Sequence, residues 1–119
     1  LNAALRTQNI HLLFLFRFLI CDIQKALEEL RKKQHLGQME LYRFQQMSKD
    51  EFHYLKQFQG NFISMNSFIS TTKHREIALG PILAGSPDSR IKRILFEMHV
   101  ESSTNSSRPF ADISSLSYH

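Results

Sequence analysis

The stretch Ser48-Lys49-Asp50-Glu51 does more than any other to limit how this chain can fold. A serine followed three residues later by a glutamate is a capping box. The hydroxyl accepts from the Glu51 amide while the Glu51 carboxylate reaches back to the Ser48 amide. Upstream, Met39, Leu41 and Arg43 alternate with Glu40, Tyr42 and Phe44, a two-residue period that predicts a short strand over 39–44. Downstream, Phe52, Leu55 and Phe58 recur at helical spacing toward a stop at Gly60, with Met47 and Phe52 at the staple positions. A chain that changes period from two to 3.6 within a few residues points to a mixed α+β fold.

The rest of the pattern agrees with that class. Leu12, Phe16, Leu19, Ile23, Leu27 and Leu30 recur at three- and four-residue spacing, which predicts one long helix capped by Asn9 and left behind at Gly37. Residues 62–71 read as extended. Thr72 is a candidate cap for a short helix over 73–79, which Gly80-Pro81 should end. Gly85-Ser86-Pro87-Asp88 reads as a turn. Over 91–100, Ile94, Phe96, Met98 and Val100 alternate with Leu95, Glu97 and His99, the clearest strand in the chain. Residues 101–108 form a polar loop, and Pro109 to Ile113 a last extended piece. The expected order is helix, strand, helix, strand, short helix, strand, strand, with mixed or antiparallel pairing and no internal repeat.

Length and composition set the remaining bounds. The 119 residues fit one domain, and an apolar share of 42% with 10 Phe predicts a substantial core. The net charge of +4 is mild and dispersed. Its densest runs, Arg31-Lys32-Lys33 and 90–93, lack interleaved aromatics, so a nucleic-acid module ranks last among the readings. The first run reads as cations at a helix C-terminus and the second as a solvated strand approach. Cys21 is the single cysteine, read as a small buried hydrophobe. No intrachain disulfide is possible, which favours a reducing compartment and a cytoplasmic setting. The apolar run over 10–21 is shorter than a span of ~20 residues and is interrupted by Arg17, so no membrane span is expected. The chain begins on leucine, and its expected status is that of a fragment.

Several chemistries lack their signatures. The glycines, at 37, 60, 80 and 85, form neither a dinucleotide fingerprint nor a P-loop. The six histidines never fall at metal-ligand spacing, so no metal site is expected. What stands out is Arg43, an arginine inside an otherwise apolar strand. On the residues alone it has two readings: paired with Glu40 or Glu51 on a solvated face, or held for an anion. The Ser70-Thr71-Thr72 run likewise reads as a helix cap or as part of a site.

Three pieces, in order, resemble the arginine-specific mono-ADP-ribosyltransferase family of the Arg-Ser-Glu class, invertebrate type. They are Leu41-Tyr42-Arg43, then Ser67-Phe68-Ile69-Ser70-Thr71-Thr72, then Ile94-Leu95-Phe96-Glu97 followed by Pro109-Phe110-Ala111-Asp112-Ile113. Residues 1–30 resemble the helical lead-in of such proteins, so the resemblance spans essentially the whole chain. It implies one partial domain over 1–119: a helical lead-in over 1–37, then an incomplete NAD-binding β core over 38–119 of the split, mixed β-sandwich type. It implies transfer of ADP-ribose from NAD, or NADP, to an exposed arginine of an acceptor protein, with release of nicotinamide. Arg43 would face the pyrophosphate and ribose, and Ser70 would be the catalytic-site serine holding the nicotinamide ribose. Phe44, Thr71 and Thr72 would complete the cofactor-binding set.

Two departures from the family pattern shape that expectation. Phe44 stands where the family prefers glycine, at the backbone position that reads the nicotinamide amide. The 119 residues contain no Glu-x-Glu, the pair whose second glutamate stabilises the oxocarbenium-like ribose. Glu97 and Glu101 read as surface carboxylates. These residues alone are therefore expected to lack transferase activity, and the alternative reading is a catalytically dead NAD- or protein-binding paralogue.

Overall fold

A computed structural model of the chain describes residues 1–65, 67–85, 88–101 and 111–115. It is a small α+β structure with two compact units, one of residues 1–38 with the described residues after 100, the other of residues 39–100.

The first unit is helical: α1 (Asn2–Thr7), α2 (Ile10–Leu15) and α3 (Arg17–Lys33). The single helix expected from Asn9 onward is broken at Phe16 (φ −92°, ψ 6°). Asn9 does cap: its side chain accepts from the Leu12 amide at 3.2 Å. Leu13, Phe16, Ile20, Ile23, Leu27 and Leu30 form the half-buried stripe. Leu12 and Leu19, assigned to that stripe by spacing, are exposed. Cys21 is also exposed, which corrects its reading as a buried hydrophobe. The cations Arg31, Lys32 and Lys33 occupy the last turn of α3, where they complement the carbonyl end of the helix dipole. Just beyond, the Gln34 carboxamide pairs with the Asp112 backbone as a peptide unit would. Nε2 donates to the Asp112 carbonyl at 2.7 Å, and the Asp112 amide donates to Oε1 at 2.8 Å. Asp112 then accepts from the Ser114 amide and hydroxyl, a local turn rather than the extended piece expected there. Residues 109–110 and 102–108 of the expected extended piece and loop lie outside the described residues.

The second unit is a two-stranded antiparallel ribbon with two helices: β1 (Met39–Ser48), α4 (Lys49–Gln57), α5 (Arg75–Ala84) and β2 (Ile91–Val100). The register runs without a bulge from Met39 opposite Val100 to Ser48 opposite Ile91. Leu41, Arg43, Gln45 and Met47 therefore share one face with Phe96, Ile94 and Met98. Glu40, Tyr42, Phe44 and Gln46 share the other with His99, Glu97, Leu95 and Arg93. The strand expected over 39–44 extends through the polar Gln45 and Gln46, because all ten residues find partners on β2. Both halves of the capping box form, with the Glu51 amide 3.2 Å from the Ser48 hydroxyl and the Ser48 amide 2.9 Å from Glu51 Oε2. Met47 is buried, Phe52, Leu55 and Phe58 are half-buried, and Gly60 takes the left-handed conformation (φ 84°) just past the helix.

Three expectations for this unit are corrected. The described residues of 62–71 form no strand, and the next residue, Thr72, makes a single bridge to Tyr42 of the ribbon. Thr72 does not cap a helix at 73. Its hydroxyl accepts from the His74 amide at 3.1 Å, and α5 starts at Arg75. Gly80-Pro81 does not end that helix, which runs to Ala84 with Pro81 inside it. Gly80 has no Cβ to meet the proline ring, which eases the clash that normally disfavours helical angles at the residue before a proline. The carbonyl end is then held from the sheet. Arg93 Nη1 donates to the Ile82 carbonyl at 2.6 Å and to the Gly85 carbonyl at 2.8 Å. A Cβ on Gly85 would lie 3.0 Å from that nitrogen, so glycine permits the approach. Arg93 is thus a half-buried helix clamp rather than part of a solvated run. The turn expected at 85–88 includes residues 86 and 87, outside the described residues.

The substantial core expected from composition does not form. Among the described residues the buried apolar side chains are Ala4, Met47 and Ala78, while Phe14, Phe18, Phe62, Leu83 and other large apolar groups face solvent. A two-stranded ribbon has too little sheet area to cover so many rings.

Candidate functional site

Arg43 is half-buried on β1, on the face it shares with Phe96 and Ile94. Its Nη1 donates to the carbonyl of Ser70 at 2.8 Å. The carboxylates that composition offered as partners are engaged elsewhere. Glu40 accepts from the Tyr42 hydroxyl at 3.0 Å, and Glu51 caps α4. Arg43 and Ser70, far apart in sequence, are therefore in direct contact.

The contact is possible because the backbone next to it is locked. Tyr42 and Thr72 exchange two hydrogen bonds, Tyr42 amide to Thr72 carbonyl at 2.8 Å and Thr72 amide to Tyr42 carbonyl at 2.9 Å. This bridge uses the edge of β1 that faces away from β2. The strand's alternation sends the Phe44 amide and carbonyl to the same edge, while the Phe44 side chain stands on the sheet face opposite Leu95. Ser70 and Thr71 are exposed and Thr72 is half-buried. Arg43 thus meets Ser70 beside the edge of β1 where Thr72 bridges Tyr42, and the Phe44 backbone lies on that same edge, while the Arg43 and Phe44 side chains stand on opposite faces of the sheet.

On the opposite face lies a polar cluster that sequence reasoning missed. The Tyr42 hydroxyl bonds to Glu40, His99 Nδ1 lies 3.4 Å from Glu40 Oε1, and Arg75 Nε lies 3.0 Å from Glu97 Oε1. The hydrogen bond to the Glu40 carboxylate raises the Tyr42 pKa above its ordinary value of 10.0, and desolvation and the charges of Glu40 and Glu97 add to it. The signal was present in the alternation, since residues 40, 42, 97 and 99 share a face once the register is known. Glu97 is exposed, as its sequence reading has it, and stands on the face away from Arg43. Among the described residues no group of histidine, cysteine and carboxylate side chains is arranged to hold a metal ion, and no helix is long and apolar enough to cross a membrane.

The chain matches no family model, no curated protein and no solved structure.

Proposed function

We propose that this chain is part of an arginine-specific mono-ADP-ribosyltransferase, with the edge of β1 as its NAD site. The observation that carries the reading is the Arg43–Ser70 contact. Two residues singled out by separate motifs, with a helix between them in sequence, meet at hydrogen-bond distance. In this reading the ribbon and its helices are a portion of the family's split, mixed β-sandwich.

The chemistry of the edge suits a dinucleotide. A guanidinium carries five donors in a planar fork, so anchoring through one nitrogen is compatible with bidentate binding of pyrophosphate oxygens. The exposed Ser70 hydroxyl is suited to the nicotinamide ribose, with Thr71 and Thr72 beside it. The Phe44 backbone at the strand edge would read the nicotinamide amide, and its side chain stands away from that edge on the sheet face. NAD, or NADP, is then a substrate, and the acceptor is a protein with an exposed arginine. The single cysteine suits a cytoplasmic setting.

The absence of Glu-x-Glu from these 119 residues favours a second reading, in which the edge binds NAD or a protein and performs no transfer. For the 119 residues as they stand, both readings give the same expectation of NAD binding without arginine modification. Calorimetric titration with NAD tests it. Binding should be saturable in the native chain, lost in Arg43→Ala, and only partly restored in Arg43→Lys, which keeps the charge but not the fork. No binding by the native chain, or equal binding by Arg43→Ala, overturns the assignment of this edge.

A further inference from the structure

Residues 1–21 contain Arg6, Arg17 and His11 but neither aspartate nor glutamate, and the first carboxylate is Asp22. Over the same stretch Ile10, Leu12, Phe14, Leu15, Phe18 and Leu19 are exposed, Phe14 by 62% and Phe18 by 68%. The helices do have a half-buried stripe, so these side chains form a second apolar surface directed to solvent. Arg17 lies across it. Its guanidinium carbon is 3.9 Å from the centre of the Phe14 ring and 4.4 Å from that of Phe18, and Nη1 donates to the Phe14 carbonyl at 2.7 Å.

We infer that α2 and the first turn of α3 dock in plane on an anionic phospholipid surface. Phenyl and leucyl side chains would enter the boundary between headgroups and acyl chains, while Arg17 and Arg6 engage lipid phosphates. An interfacial helix differs from a spanning one in this way: its apolar face enters a few ångströms and its cations stay with the headgroups. Charge complementarity selects the occupant. A second copy docked through the same stretch would bring a second pair of arginines and no carboxylate before Asp22 to offset them. An anionic bilayer offers phosphates to every cation. The inference concerns the helical unit alone and does not rest on the NAD reading.

The chain has no tryptophan, so Phe14→Trp makes a single reporter on the surface itself. Phosphatidylglycerol–phosphatidylcholine vesicles should shift its emission to the blue, and acyl-brominated lipids should quench it. Pure phosphatidylcholine vesicles should do neither. Replacing Arg6 and Arg17 together by glutamine should weaken partitioning by about fivefold for each charge removed. Phe18→Ser should weaken it by about tenfold. All of these side chains are exposed, and unchanged far-ultraviolet circular dichroism verifies that the variants fold. Equal partitioning onto zwitterionic and anionic vesicles overturns the inference, as does binding indifferent to the two arginines. So does vesicle-free self-association that Phe18→Ser abolishes, which would make the surface a contact between copies.

Discussion

Helix α5 is fastened to the sheet at both ends by arginines, and the two fastenings should differ in strength. At its start, Arg75 pairs with Glu97 with both side chains about half exposed. At its end, Arg93 donates from the half-buried β2 to the carbonyls of Ile82 and Gly85, the former part-buried. An exposed ion pair contributes roughly 0.2–1 kcal/mol, because water screens it and two flexible side chains must be ordered. Hydrogen bonds to a charged group are worth about 1.5–3 kcal/mol, and the last-turn carbonyls have no donor within the helix. Counting the part-buried bond in full and discounting the exposed one, Arg93→Met should loosen α5 by about 2 kcal/mol, while Arg75→Met should do so by about 0.5 kcal/mol. Methionine keeps much of the alkyl stem, so the comparison isolates the guanidinium. Native-state hydrogen exchange reads this directly. Amides of α5 should exchange about 30-fold faster in Arg93→Met and about twofold faster in Arg75→Met. Equal acceleration in the two variants, or a larger effect at Arg75, refutes the view that the sheet arginine holds the proline-containing helix from its carbonyl end.

Two further outcomes follow from the same unit. Ser48→Ala removes the hydroxyl that accepts the Glu51 amide and should cost about 1 kcal/mol in urea denaturation, with unchanged stability counting against the capping box. The Tyr42 pKa is raised by its bond to Glu40, so the associated stability is present below the ordinary tyrosine value of 10.0 and is lost as pH rises through the higher folded value. Carbon-detected titration of labelled tyrosines should show Tyr42 ionising above 10.0, and Glu40→Ala should lower it; ionisation at 10.0 in the native chain contradicts the contact.

What the sequence made legible is local. The capping box, the Asn9 cap, the basic end of α3 and the strand over 91–100 each depend on residues within a few positions of one another, and all are present. What it hid depends on distant partners. Gln45 and Gln46 look like the end of a strand, yet Ile94 and Arg93 extend the ladder past them. Gly80-Pro81 looks like a stop, yet Arg93 satisfies carbonyls beyond it. The stretch over 62–71 has β-branched and aromatic residues, but its described residues pair with no strand and the one rung nearby belongs to Thr72, so its extended pattern did not become a strand. Of the site, Arg43 stood out as an arginine in an otherwise apolar strand, and its joining with Ser70 in one site came from the resemblance. That the guanidinium would meet the Ser70 carbonyl rather than its hydroxyl was not readable from residue types.

The uninterrupted pairing of β1 with β2 has a kinetic side. Ser48 and Ile91 are opposite one another with both α4 and α5 between them in sequence, so the ribbon cannot zip outward from a tight turn. Its first rung must close a loop on the order of forty residues, at an entropic cost of about 3 kcal/mol before any later rung repays it. Helices α4 and α5 form from local contacts and shorten the free chain that has to be closed. Assembly of the ribbon should therefore follow the helices, and a cap lost at Ser48 would delay the strands it does not itself touch.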